Sequence, residues 1–145
     1  MIARALIGLA AVLVPMAAMQ ADSSSDEEAV REVLQKHYVE GMYIKRDPEL
    51  LRAGLAPTFV MQVYWDGELS TRNVSQWFEK MKLDGVPTTH NIESKIEVLD
   101  ITGVAAVARV DIHRDAEHIY TDYFGLYKTE AGWKMVTKMF HAHGA

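Results

Sequence analysis

The chain has 145 residues, 49% of them hydrophobic, so it can bury one core and leaves no room for two ordinary domains. Its formal net charge of -5 and sequence pI near 5.6 argue against a general affinity for phosphate backbones or anionic lipid surfaces, so nucleic acid is not expected as a partner. There is no cysteine, which excludes a disulfide framework and a lipobox anchor.

The N-terminus reads as an export signal. Met1–Arg4 carries one positive charge, Ala5–Ala18 is an apolar run, and Asp22-Ser23-Ser24-Ser25-Asp26 turns abruptly polar. The run is short for a bilayer span. Residues 1–21 are read as a signal peptide and residues 22–145 as one domain, periplasmic or secreted, with no membrane contact once mature. The alternative is a buried N-terminal helix.

Ser25 and Glu28 form a capping-box pattern, after which Val30, Val33, Leu34, His37, Gly41 and Met42 recur at helical spacing. This predicts a helix to about Lys45, with Gly41 marking a close approach of another element and His37 a hydrogen-bonded core histidine. Asp47-Pro48 starts a second short helix, cap and first turn, and Pro57 ends it. Thr58 to Trp65 is a strand, Asp66-Gly67 a hairpin turn, and Glu68 to Thr71 a return strand. Val74, Trp77, Phe78 and Met81 mark a third helix, stopped by Gly85-Val86-Pro87. Strands are then predicted at His90–Ile101, Val104–His113, His118–Lys128 and Trp133–His143. Their turns, at Thr102-Gly103, Asp115-Ala116 and Glu130-Ala131-Gly132, are too short for anything but antiparallel pairing. Helices first and a meandering sheet second is an α+β order.

The stretch Thr121-Asp122-Tyr123-Phe124-Gly125-Leu126-Tyr127-Lys128, a short turn, then Gly132-Trp133-Lys134-Met135-Val136-Thr137-Lys138-Met139-Phe140 resembles the closing hairpin of the putative lumazine-binding group. That group lies in the nuclear transport factor 2-like (NTF2-like) superfamily, also called SnoaL-like or cystatin-like, with ketosteroid isomerases, scytalone dehydratases and limonene epoxide hydrolases. Tyr38 to Asp47, the Asp66-Gly67 turn and Val104 to Val110 extend the resemblance over about residues 27 to 141. It implies a cone of curved antiparallel sheet closed by three N-terminal helices around a pocket, in a homodimer. The superfamily mixes enzymes with pure binders, so fold alone does not decide function.

With turns of two or four residues, Arg109 lies opposite Asp122, Asp111 opposite Tyr120, and Asp122 opposite Met139. One face then gathers Ile92, Ile96, Val98, Val107, Phe124, Leu126, Trp133, Met135 and Met139 with Arg109, Asp111, Tyr120, Asp122, His90 and His141. The other, holding Glu93, Lys95, Glu97, Lys134 and Lys138, reads as a wetter convex surface. A slip of one residue exchanges the two faces.

Charges among apolar neighbours are expensive unless paired, which points to a pocket. The function expected is binding of a small, partly apolar organic molecule by Tyr64, Trp77, His90, Tyr120, Trp133, Met139 and His141, with no cofactor. The alternative is an acid–base enzyme. Arg109, Asp111 and Asp122 are similar to the Asp-Arg-Asp site of limonene epoxide hydrolases, and that resemblance makes the aspartates acid and base, with Gln62 and Tyr64 holding the water. Asp122 or His90 alone could serve isomerisation, dehydration or cyclisation. Further readings are an Arg109–Asp122 pair that only fixes register, and a dimeric interaction module without a ligand. His113, His118, His141 and His143 gather near a sheet end, where solvated imidazoles are commoner than ligands, so no metal is expected. A Gly-rich phosphate loop, a nucleophile elbow, a zinc motif and an internal repeat are all absent from the sequence.

Overall fold

A computed structural model describes residues 16–144, with side chains from residue 23 onward. Most of the segment read as an export signal therefore lies outside the described residues. Helix α1 (Met16–Val33) runs without a break into a π-helical stretch, Leu34–Ile44. Ser25 thus lies within a helix instead of capping one, because the Ala- and Met-rich run before it is strongly helix-forming.

The π-helical winding decides which side chains reach the core. Tyr38 and Tyr43 both point inward, their rings edge to face at 5.5 Å and their hydroxyls 3.1 Å apart. Five positions in an ordinary α-helix would turn well past a full circle; the wider turn brings them back onto one side. Gly41 sits where this stretch meets α2 (Pro48–Gly54), and a Cβ there would stand 2.9 Å from the Leu51 backbone nitrogen. Asp47 caps α2, its Oδ1 accepting the Glu49 and Leu50 amides at 2.9 and 3.1 Å. The helix ends before Pro57, at Gly54.

The remaining elements are β1 (Leu55–Trp65), β2 (Glu68–Asn73), α3 (Val74–Met81), β3 (Ile92–Thr102), β4 (Ala105–Arg114), β5 (Glu117–Thr129) and β6 (Gly132–Ala142). They form a six-stranded sheet in the order β2-β1-β6-β5-β4-β3. The β1–β6 pair is parallel and every other pair is antiparallel. Among the described residues only α1 with its π-helical continuation and α2 precede the sheet; α3 lies between β2 and β3, which corrects the expectation of three N-terminal helices. The helices cover one face, where Val30, Leu34, Leu51, Phe59, Ala108, Val110, Ile112, Phe124, Leu126 and Met135 form a closed core. Asp26 fastens α1 to the sheet, accepting from Lys128 Nζ at 2.7 Å and Trp133 Nε1 at 3.1 Å. Among the described residues no helix is long and apolar enough to cross a membrane.

Register is where the structure departs from the sequence reading. The Asp115-Ala116 turn is the expected two-residue hairpin, both residues at positive φ, and it pairs His113 with His118. Ile119 then bulges, so Ile112 pairs with Tyr120, Val110 with Asp122 and Arg109 with Tyr123. A second bulge at Val136 moves the partner of Asp122 from Met139 to Phe140, and a third at Leu99 shifts β3 against β4. Each extra residue exchanges the faces of everything beyond it. On β4 the inward residues are Ala106, Ala108, Val110 and Ile112, while Val107, Arg109 and Asp111 face outward. On β6, Lys138 turns inward and Met139 and His141 outward.

Candidate functional site

A cavity of about 250 Å³ opens between the π-helical stretch, α3, β1 and β6. Its walls are apolar and aromatic: Met42 and Tyr43, Met61 and Val63, Trp77 and Met81, Tyr120 and Phe140. Exposed or half-exposed Trp65, Arg72 and Lys80 form its mouth. Trp77 is held by α3, whose start is fixed by a capping box: Asn73 Oδ1 accepts the Gln76 amide at 3.0 Å, and Gln76 Oε1 accepts the Asn73 amide at 2.9 Å.

Lys138 stands on the wall of this cavity and is almost wholly buried. Its Nζ lies 2.9 Å from Asp122 Oδ1 and donates to the Tyr38 hydroxyl at 2.8 Å. Tyr38 in turn donates to Asp122 Oδ2 at 2.6 Å. With the Tyr38 proton committed to Asp122, Tyr43 is the donor in the 3.1 Å contact between the two phenols. Four rings surround the ammonium, with centroids at 4.9 Å for Tyr38, 5.0 Å for Phe140, 5.4 Å for Trp77 and 5.9 Å for Phe124. Burial pushes the Lys138 pKa below its ordinary value, against the pull of the Asp122 carboxylate. Burial, and then the Asp122 charge, push the Tyr38 and Tyr43 hydroxyls well above the usual phenol range, so both stay protonated donors. The site is thus an amine, a carboxylate and two phenols in one hydrogen-bonded chain, of which Lys138 and Tyr43 face an apolar space.

Of the predicted residues, Asp122 lies in this chain, and Trp77 and Tyr120 line the cavity. Arg109 and Asp111 do not join them. They face outward and pair with each other, Arg109 Nε and Nη2 donating to Asp111 Oδ1 at 3.1 and 3.0 Å, while the Thr121 hydroxyl donates to the same oxygen at 2.8 Å. Burial raises the Asp111 carboxyl, but these two partners outweigh it and hold it below the usual range. The bulge at Ile119 is the reason for this separation, so an Arg109–Asp122 pair and an Asp-Arg-Asp site are both ruled out as geometry. Tyr64 is exposed, as is Gln62, because their strand turns Met61 and Val63 inward. His90 is exposed and bound to Asp115 at 2.6 Å. Trp133 is buried, but its indole is engaged by Asp26. Met139 and His141 lie on the outer face beyond the Val136 bulge.

Near one end of that face the imidazoles stack, His113 on His118 at 4.5 Å and His118 on His143 at 3.9 Å. Among the described residues no group of three metal-binding side chains is arranged to hold an ion. The broad hollow between α1 and β3 is lined by Glu28, Arg31, Glu32, Gln35 and Lys36, the polar face of an ordinary surface helix. Sequence reasoning missed Lys138, Tyr38 and Tyr43. Strict alternation places Lys138 on the wet face, and no residue of Met135-Val136-Thr137 marks the bulge that brings it in.

A family model described as putative lumazine-binding matches residues 25–141. The chain is 30% identical over 107 residues to the aldolase FrzH of Cladobotryum sp, a match spanning 73% of this chain and 83% of that protein. It is similar to the crystal structure of an NTF2-like protein of unknown function from Shewanella baltica OS155, with 30% identity and a TM-score of 0.68 over 84% of this chain and 97% of that one. A second NTF2-like protein of unknown function, from Methylobacillus flagellatus KT, is 24% identical with a TM-score of 0.68, over 83% and 94% of the two chains.

Proposed function

The chain belongs to the family described as putative lumazine-binding, within the NTF2-like superfamily, and from that premise we propose that it binds a small carbonyl compound in the cavity beneath α3 and transforms it by acid–base chemistry. The observation that carries this reading is the Lys138–Asp122–Tyr38 chain, which reaches the wall of an aromatic cavity at Lys138. Proton abstraction beside a carbonyl needs a base at the α-carbon and donors at the oxygen where charge develops. Asp122 supplies the base; Lys138, with Tyr43 beside it on the cavity wall, meets the carbonyl group. The same groups, used in reverse, serve aldol-type bond making and breaking, and the likeness to a protein named an aldolase supports that choice.

The cavity is just under the range of about 300–1,000 Å³ usual for drug-sized ligands, so the substrate is small, of one or two rings. Arg72 and Lys80 at the mouth favour an acidic group on it. The cone-shaped, helix-closed pocket of the superfamily is consistent with this arrangement. The apolar side chains exposed on the outer face, Val107, Tyr123, Tyr127 and Met139, support a homodimer, and the pattern of residues 1–21 supports export. The test is aldol and retro-aldol turnover on a panel of small aldehydes and ketones, with and without a carboxylate. Turnover that is lost in Asp122→Asn supports the reading. A protein that neither binds nor turns over any member of the panel overturns it.

A further inference from the structure

We infer that Lys138 is a nucleophile: its Nζ condenses with the carbonyl carbon of an aldehyde or ketone held in the cavity, giving an iminium, while Asp122 shuttles the protons. The inference deepens the carbonyl-binding reading above and rests on it, since it names which atom takes the substrate.

Three observations carry it. Lys138 is the only buried lysine among the described residues, and it is the one that lines the inner wall of the cavity. Its Nζ has a proton acceptor, Asp122 Oδ1, at 2.9 Å, and a phenol whose own proton is already shared with that carboxylate at 2.6 Å. Its surroundings are suited equally to the start and the end of the reaction. The four rings and the carboxylate that stabilise an ammonium stabilise an iminium at the same place, so no buried charge is created or stranded as the bond forms. Burial also lowers the Lys138 pKa below its ordinary value, which favours the neutral amine more than in a solvated lysine.

The step balances without a co-reactant. The ammonium passes one proton to Asp122, and the freed nitrogen lone pair forms the C–N bond while the carbonyl π pair moves to oxygen. One nitrogen proton moves to that oxygen, giving a neutral carbinolamine. Asp122 returns its proton to the hydroxyl, the C–O bond breaks, and water leaves. Lysine ammonium plus carbonyl becomes iminium plus water, with one positive charge before and after and the Asp122 carboxylate regenerated. The iminium then acts as the electron sink for breaking or making the adjacent carbon–carbon bond.

The experiment is reductive trapping. The full protein is incubated with 4-formylbenzoate, an aromatic aldehyde whose carboxylate matches Arg72 and Lys80, in the presence of sodium cyanoborohydride, and adducts are mapped by peptide mass spectrometry. Reversible binding of the same aldehyde, without reductant, is followed in parallel by quenching of tryptophan fluorescence. The expected result is one reduced adduct concentrated on Lys138 and absent in Lys138→Arg, while Lys134→Arg keeps it. The wild-type map decides by itself, so a poorly folded Lys138→Arg does not spoil the test. Binding without an adduct at Lys138, or adducts spread evenly over the surface lysines, overturns the imine and leaves the carbonyl-binding reading standing. Neither binding nor trapping overturns both.

Discussion

Lys138 Nζ and Asp122 Oδ1 meet at 2.9 Å between neighbouring strands, with side chains only 4% and 0% exposed. A buried ion pair is poor value as a structural device, because well-packed apolar residues in its place are often as stable or more so. Its position on a cavity wall, joined to two phenols, gives it a different rationale: the charges are held ready for a substrate.

Removing one partner should therefore harm the fold more than removing both. Lys138→Met leaves the Asp122 carboxylate buried with only Tyr38 and is expected to lose about 3–5 kcal/mol in urea denaturation. Asp122→Leu should lose a similar amount by stranding the ammonium. The double variant should recover much of the loss, while Lys95→Leu, on the exposed face, should stay within about 0.5 kcal/mol of the parent. A double variant as unstable as the sum of the singles would show that the two side chains do not act as a pair.

Activity should divide along the same line. Asp122→Asn keeps the shape of the site and removes the base, so kcat on the responsive carbonyl substrate should fall about 10²–10⁴-fold. Asp111→Asn and Arg109→Ala alter only the outward pair, whose arginine is 38% exposed, and should leave kcat near that of the parent. Equal losses in Asp111→Asn and Asp122→Asn would contradict this separation of faces.

How much of this was legible beforehand depends on which signal each feature leaves. The Asp47-Pro48 cap, the Asp66-Gly67 turn and the stripe of α3 are local, and each is written in residue types suited to it. The two hydrogen-bonded phenols depend on the π-helical winding after Leu34, which a 3.6-residue period cannot reveal. The inward turn of Lys138 and the outward turn of Arg109 depend on bulges at Val136 and Ile119, where β-branched residues look like any other strand position. Asp122 was legible as an inward charge because β5 keeps its face; its partner was not.

Gly41 reports on the fit between the π-helical stretch and α2. An added Cβ would meet the Leu51 backbone nitrogen at 2.9 Å and its Cα at 3.1 Å, and backbone cannot step aside as a flexible side chain can. Gly41→Ala should destabilise by about 1–3 kcal/mol despite alanine's better helix propensity, and should loosen Met42 and Tyr43 on the cavity wall. A rise in Tm would mean that the two helices do not hold this contact in solution.

The outer face makes a prediction about assembly. Tyr123, 37% exposed, and Met139, 57% exposed, are register partners on β5 and β6, beside exposed Val107 on β4. If a second copy covers this face, Tyr123→Glu should move the mass measured by light scattering from dimer toward monomer, without changing the monomer's fold as read by far-UV circular dichroism. An unchanged dimer would place the contact elsewhere, and a monomeric parent would remove it.

The histidine stack gives the fold a pH dependence of definite sign. Burial lowers the His143 pKa below its ordinary value of 6.5, and repulsion from His118 and His141 lowers it further; Asp111 pulls the other way, and Arg109 adds to the lowering. His113 faces His118 from the other side of the stack. Between the lowered folded value and 6.5, the unfolded chain binds more protons at His143 than the folded one, so stability rises with pH through that window and falls on acidification. Asp111 acts lower down: its folded pKa is depressed, so its contribution is fully present above 3.8 and is lost only as pH drops through the depressed value. Melting temperature should therefore fall between pH 7 and 5, and His143→Gln should flatten that slope while leaving the steeper acid loss below pH 4 in place. A slope unchanged in His143→Gln would remove the stack as its source.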